Sequence, residues 1–309
     1  MRASFRAAPT VAVTALVLAG ALSVSGCSTG PSAAGGRSSV IRVVAAENFW
    51  GSIAAQLGGE RVQVTSIITS PDADPHAYEA TAADGRAVAT ADLTIVNVVG
   101  YDPWAADLAQ ANASSTRTDL NVGDVVGARA GDNPHRWYNP ADVRAMVDRI
   151  VAGYQAIKPA DADYFEQQKS TFTTTTLNEY DTLIADVKAR YSGTPVGASE
   201  SIFAMIAPAL GLDVVTPPTF LTAVSAGTDP TAADKATIDR QISTKAIRVY
   251  VYNSQNATPD VQAQVDAAQA RGIPVSAITE TMTPATATWE QWQTAQLRQL
   301  RAALQAASP

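Results

Sequence analysis

Residues 160–191 hold neither glycine nor proline, in a chain with 19 glycines and 17 prolines, so the run reads as one structural element. Phe165, Phe172, Thr176, Leu177, Tyr180, Ile184, Val187 and Tyr191 recur along it at spacings of three, four and seven. That spacing is one apolar face of an α-helix. Unbroken, the helix would be roughly 45 Å long at 1.5 Å per residue, enough to span two lobes rather than belong to one. The threonines at 173–176 lower helix propensity, so packing has to hold it. Two shorter helices meeting near those threonines are the competing reading.

Strand–helix–strand alternation lies on both sides of this segment. Before it, apolar stretches at 40–46, 62–68 and 92–99 read as strands with helices between them. A helix over 139–157 opens on Asn139 and Pro140, a capping residue followed by a first-turn proline. After it, strands are expected at 194–199, 212–216, 246–253 and 273–278, again separated by helices. A last amphipathic helix turns Trp289, Trp292, Leu297, Leu300 and Leu304 toward the core. The fold class expected is therefore α/β: two lobes, each a mainly parallel sheet with flanking helices, joined by one long backbone helix, with a cleft between the lobes. The boundaries expected are 40–157 for the N-terminal lobe, 158–192 for the linking helix and 193–309 for the C-terminal lobe.

The first residues are excluded from that fold. Arginines at 2 and 6 precede an apolar run from Val11 to Val24 that ends in "VSGC". Residues 1–26 read as a secretory signal peptide, and the run is short of the ~20 apolar residues that a membrane span takes. Small residues before Cys27 resemble the lipobox of bacterial lipoproteins, which implies that Cys27 is lipidated and anchors the chain to membrane lipid. Residues 27–39, rich in Gly and Ser, have the composition expected of a flexible tether. Cys27 is the one cysteine, so neither a disulfide within the chain nor a thiolate metal site is available. Loss of the two signal arginines takes the formal charge from 22 − 29 = −7 to 20 − 29 = −9. That acidic balance argues against nucleic acid as a partner.

The chain has only two histidines, His76 in "DADPHAYEA" and His135 in "DNPHRWYNP", and each follows a proline in a loop. Open α/β sheets place ligands at the loops beyond their strands. Two carboxylates extend the pattern: Glu200 follows the strand ending "VGAS", and Glu280 lies just past "VSAI". Each has an ordinary alternative, Glu200 as an acid at a helix N-terminus and Glu280 as a solvated loop residue. If the lobes face each other, two imidazoles meet two carboxylates, donors that suit Mn(II), Fe(II) or Zn(II). The separations are too long for a local metal-binding motif. Trp50 and Trp137 are candidates to wall the site or simply to pack, and Asn253 to hold a ligand carboxylate or to cap.

With "DPHAYEATAADGRAVATADLTIVN" and "NPHRWYNP" as its most specific pieces, the chain resembles the zinc- and manganese-binding solute receptors of bacterial ABC transporters from "AAENFW" to the last helix. The resemblance implies that His76, His135, Glu200 and Glu280 are the four ligands, in that order. The third is Glu in many manganese receptors and His in typical zinc receptors. The fourth is most often Asp, so Glu280 departs from the pattern by one methylene. The histidine-rich acidic loop of many zinc members is absent. The function implied is capture of one divalent ion, Mn(II) favoured with Zn(II) close behind, at the outer face of the cytoplasmic membrane. A monomer would deliver it to a permease with a cytoplasmic ATPase, with no enzyme activity. A zinc-specific receptor of the same family, a metal-dependent hydrolase, a binder of an organic solute or chelate, and a surface adhesin are the alternatives.

Overall fold

The computed structural model describes residues 40–308, so the signal peptide, the tether to Ser39 and Cys27 lie outside the described residues. Eight strands form two sheets of four. The first contains β1 (Ile41–Glu47), β2 (Val62–Ile68), β3 (Leu93–Val96) and β4 (Thr118–Asn121), in the order β2-β1-β3-β4. The second contains β5 (Pro195–Ala198), β6 (Asp213–Val214), β7 (Val249–Asn253) and β8 (Val275–Ile278), in the order β6-β5-β7-β8. Every pairing is parallel. In both sheets the chain moves one way from the first strand and then crosses to its other side. Each sheet thus has a switch point, between β1 and β3 and between β5 and β7, where such folds open a crevice beyond the strand ends.

Burial explains which strands were readable. β1 is buried at six of its seven residues, and its continuous apolar run marks a strand covered on both faces. β4 buries only Leu120 in "TDLN" and carries no apolar run. Sequence reading missed it, together with the helices Pro103–Ala111, Val122–Val126 and Pro218–Ser225.

The linking segment is helical, but its pitch changes. An α-helix over Ala162–Thr171 passes into a π-helical turn over Phe172–Thr176, and an α-helix resumes over Asn178–Tyr191. The long linking helix expected from the sequence is present, with a π turn at the threonines interrupting its regular pitch. Thr173 Oγ1 donates to the Lys169 carbonyl at 2.9 Å and Thr174 Oγ1 to the Ser170 carbonyl at 2.7 Å. Such back-bonding competes with the main-chain ladder and loosens it. The apolar face survives the change: Phe165, Phe172, Leu177, Tyr180 and Val187 are all buried.

Both halves share one apolar core, continuous from Ile41 to Leu304 and including the linking segment. The C-terminal helix Trp289–Ala306 belongs to both. Its five expected core residues are buried, and its first turn reaches back to the helix Asn48–Gly58. There the Trp289 backbone N–H donates to Ser52 Oγ at 2.9 Å, and Gln56 Nε2 to Glu290 Oε2 at 2.8 Å. Among the described residues, no helix is long and apolar enough to cross a membrane.

Candidate metal centre

The two Pro-His pairs are two copies of one local device. Asp74-Pro75-His76 forms a turn in which the Asp74 carboxylate accepts the His76 backbone N–H at 2.9 Å. In Asn133-Pro134-His135 the Asn133 side-chain oxygen accepts the His135 N–H at 3.1 Å. A short polar side chain bonded two residues on, with proline fixing φ between, makes a stiff turn that projects the imidazole. The readable signal was Asx-Pro-His, not Pro-His alone.

The rings converge on one oxygen. Nε2 of His76 lies 4.0 Å from Glu280 Oε1, and Nε2 of His135 lies 3.9 Å from the same atom. That oxygen is buried and accepts no hydrogen bond within the described residues. Two ligands of one tetrahedral ion, each about 2.1 Å from it, stand roughly 3.4 Å apart. Each imidazole thus stands about half an ångström too far from that oxygen for the pair to ligate one ion, and among the described residues no group of three His, Cys, Asp or Glu side chains is placed to hold a metal ion. His76 is the accessible member at 38 % side-chain exposure, whereas His135 is buried at 2 %. Burial, with His76 beside it, pushes the His135 imidazole down to about 3 and keeps it neutral, the form that binds metal.

Glu200 is the residue before the helix Ser201–Leu210 and is buried. Asn253 Nδ2 donates to its Oε2 at 2.9 Å, and Asn256 Nδ2 donates to Oε1. Burial, then the charge of Glu280, pushes Glu200 up to about 7, and the two amides offset part of that. Burial likewise raises Glu280, against the pull of His76 and of the neighbouring Tyr101 hydroxyl. Two buried, mutually repelling carboxyls form a place where a cation lowers the free energy.

The three auxiliary candidates lie at different depths. Trp137 is buried, stacks on Phe49 at 3.9 Å between ring centres, and donates Nε1–H to the Glu280 carbonyl at 3.2 Å. Asn253 touches Glu200 directly. Trp50 does not face the imidazoles: its Nε1 donates to Asn97 Oδ1 at 3.1 Å, and Asn97 Nδ2 to the Pro134 carbonyl at 2.9 Å, so it supports the His135 turn from below.

Other neighbours gave no sequence signal. Tyr101 sits edge-on to His76 at 4.8 Å and to His135 at 6.1 Å. It follows Val98 and Val99, whose φ values of 57° and 53° are left-handed, a costly conformation for β-branched residues. The Asp102 carboxylate holds that turn by accepting the Asn97 N–H at 2.8 Å and the Val98 N–H. Beneath it Glu47, at the end of β1, is buried against Asp102.

The sequence profile of the family described as zinc-uptake complex component A, periplasmic (ZnuA) matches residues 43–303, most of the chain. The chain belongs to this family. The manganese-binding lipoprotein MntA of Bacillus subtilis is 25 % identical over 165 residues, 51 % of this chain and 53 % of that protein. MntA of Halalkalibacterium halodurans is 27 % identical over 135 residues, 42 % of this chain and 44 % of that one. The chain thus spans about half the length of the curated relatives it matches. Among solved structures, the Mn-bound periplasmic metal binding protein of Candidatus Liberibacter asiaticus has a TM-score of 0.70 at 16 % identity, covering 85 % of this chain and 99 % of that one. The periplasmic zinc binding protein TroA of Treponema pallidum has a TM-score of 0.69 at 21 % identity, covering 86 % and 99 %. At such identities these two likenesses speak for the ZnuA-family fold.

Proposed function

We propose that this ZnuA-family chain is an extracytoplasmic receptor that captures one divalent transition-metal ion as cargo and hands it to an ABC permease driven by a cytoplasmic ATPase. His76, His135, Glu200 and Glu280 are its ligands. The observation that carries the reading is the approach of two imidazole Nε2 atoms to the unpartnered Glu280 oxygen, with a second buried carboxyl, Glu200, near enough to feel its charge. Mn(II) is the favoured cargo, because two carboxylates make a harder donor set than three histidines and one carboxylate. The manganese-binding relatives support the same choice. Zn(II) is the second reading: the Irving–Williams order gives it tighter binding at most nitrogen–oxygen sites, and the TroA likeness is to a zinc binding protein. With both carboxylates bound through two oxygens, the four side chains would fill six positions and leave none for an activated water, which favours capture over hydrolysis. Lipid attachment through Cys27 would hold the receptor at the membrane.

The test pairs metal analysis of protein taken from its native membrane with titration of purified protein by Mn(II) and Zn(II). Manganese in the native protein, and loss of binding in H135A and E200A, is the expected result. Zinc alone in the native protein overturns the manganese assignment, and unchanged binding in both variants overturns the ligand set.

A further inference from the structure

The segment Asn253-Ser254-Gln255-Asn256, at the end of β7, handles both carboxylates of the cleft. Asn253 and Asn256 take the two oxygens of Glu200. Gln255 takes the Glu280 backbone: its Oε1 accepts the Glu280 N–H at 2.8 Å and the Thr281 N–H at 2.9 Å. Its other end faces the opposite half of the molecule. Gln255 Nε2 donates to Thr281 Oγ1 at 2.8 Å, to Thr283 Oγ1 at 3.3 Å and to the Pro71 carbonyl at 3.2 Å. Two backbone N–H groups require the amide oxygen and a carbonyl requires the amide nitrogen, so the orientation of this amide is fixed by its partners.

Pro71 lies on the loop between β2 and the turn Pro75–Ala77 that presents His76. Besides Gln255 Nε2, only Thr281 Oγ1, at 3.3 Å, reaches its carbonyl among the contacts of the described residues, and Thr281 is itself held by Gln255. His135 is tied to Glu280 by another route, through Trp137 and the Glu280 carbonyl. His76, the exposed histidine, is joined to the Glu280 side of the cleft through Gln255. The Gln255 amide, with Thr281 Oγ1 beside it, thus joins the His76 loop to the Glu280 segment.

We propose that Gln255 is a positioning residue of the metal centre, which aims Glu280 and clamps the His76 loop to it, so that its amide governs grip on the ion and the rate of release. The proposal rests on the metal-receptor reading above. Residues that orient ligands from behind typically change metal affinity by about 10- to 100-fold when removed.

The experiment uses purified protein with Co(II) as probe, reading affinity, the d–d absorption spectrum and the rate of release into EDTA. Gln255→Leu keeps the volume and removes both ends of the amide. The expected result is Co(II) binding about 10- to 100-fold weaker, faster release and an altered spectrum, with the melting temperature of metal-free protein near wild type. Thr283→Val, which removes another Gln255 partner away from the ligands, should leave all three readouts unchanged. Gln255→Glu keeps the acceptor for Glu280 and loses the donor to Pro71, so the spectrum should return toward wild type while release stays fast. It also serves if the leucine variant does not fold. Wild-type affinity, spectrum and release rate in Gln255→Leu, or wild-type release in Gln255→Glu, overturn the proposal and leave the receptor reading standing. Wild-type protein that binds no Co(II) overturns both.

Discussion

His135 and Asn133 are joined twice: the Asn133 side-chain oxygen accepts the His135 backbone N–H at 3.1 Å and lies 2.8 Å from its Nδ1. A proton on Nδ1 directed at that oxygen leaves the Nε2 lone pair facing Glu280. Asn133 also donates Nδ2–H to the Ser201 carbonyl at 2.6 Å, next to Glu200. It therefore orients His135 and ties its turn to the residue that follows Glu200. Asn133→Ala should weaken metal binding by about 10- to 100-fold, the usual effect of losing a residue behind a ligand. Asn133→Asp, which keeps the acceptor, should recover part of it. Competition titration against a fluorescent chelator separates the two, and wild-type affinity in the alanine variant would show that the ring needs no such support.

Glu280 owes its central place to its length. Its Oε1 stands 3.9–4.0 Å from both imidazole Nε2 atoms while its backbone is held by Trp137 and Gln255. Glu280→Asp restores the acid usual in the resembling family but draws the carboxylate back by one C–C bond, about 1.5 Å. With the backbone clamped, the oxygen then falls short of His76. Mn(II) affinity measured by calorimetry should drop by at least about tenfold, or ~1.4 kcal/mol. Equal or tighter binding would mean that residues 279–281 shift to compensate.

What could be read from the sequence follows from where the forces lie. The eight-residue stretch at 246–253 gave away β7 because its strand is buried on both faces, and the helix at 140–157 gave away its start because Asn139 caps it through two backbone N–H groups. β4 escaped because an edge strand with one buried residue has no pattern to show. The π turn escaped because threonines announce weak helix propensity, not which irregular turn they will adopt. His76, His135, Glu200 and Glu280 were visible as rare or strand-end residues. Asn133, Gln255 and Asn256 were not, since an amide acts through partners as far as 184 residues away in sequence, as Gln255 does with Pro71.

Glu47 and Asp102 make stability depend on pH in an unusual direction. Both carboxyls are buried, and burial raises both, with mutual repulsion adding to the rise at Glu47. A folded-state pKa above the unfolded value means that the folded chain holds a proton that the unfolded chain gives up. The sign follows: stability is greatest below the unfolded carboxyl value, about 4.3, and declines as pH rises through the folded pKa. Metal-free protein should therefore have a lower urea midpoint at pH 8 than at pH 5.5 from this pair. Glu47→Gln removes one of the two titrations at nearly the same volume, so its midpoint should fall less over the same interval. Glu200 contributes to the slope in both proteins, and the difference between them isolates Glu47. Equal slopes would show that Glu47 does not carry the pH dependence.

Trp289 joins fold stability to the candidate metal centre. Its indole is fully buried, packs on Tyr180 of the linking segment at 5.2 Å between ring centres, and donates Nε1–H to the Trp137 carbonyl at 3.2 Å. Trp137 in turn holds Glu280. Trp289→Ala empties a large volume where both halves share a core and should lower unfolding free energy by about 3–5 kcal/mol. Trp289→Phe keeps most of the apolar contact but leaves the Trp137 carbonyl without its donor, at about 1–3 kcal/mol. Urea denaturation ranks them. If the indole N–H matters chiefly through Trp137, the phenylalanine variant, still folded, should also bind Mn(II) more weakly than wild type. Unchanged binding beside a lowered urea midpoint would confine Trp289 to the core.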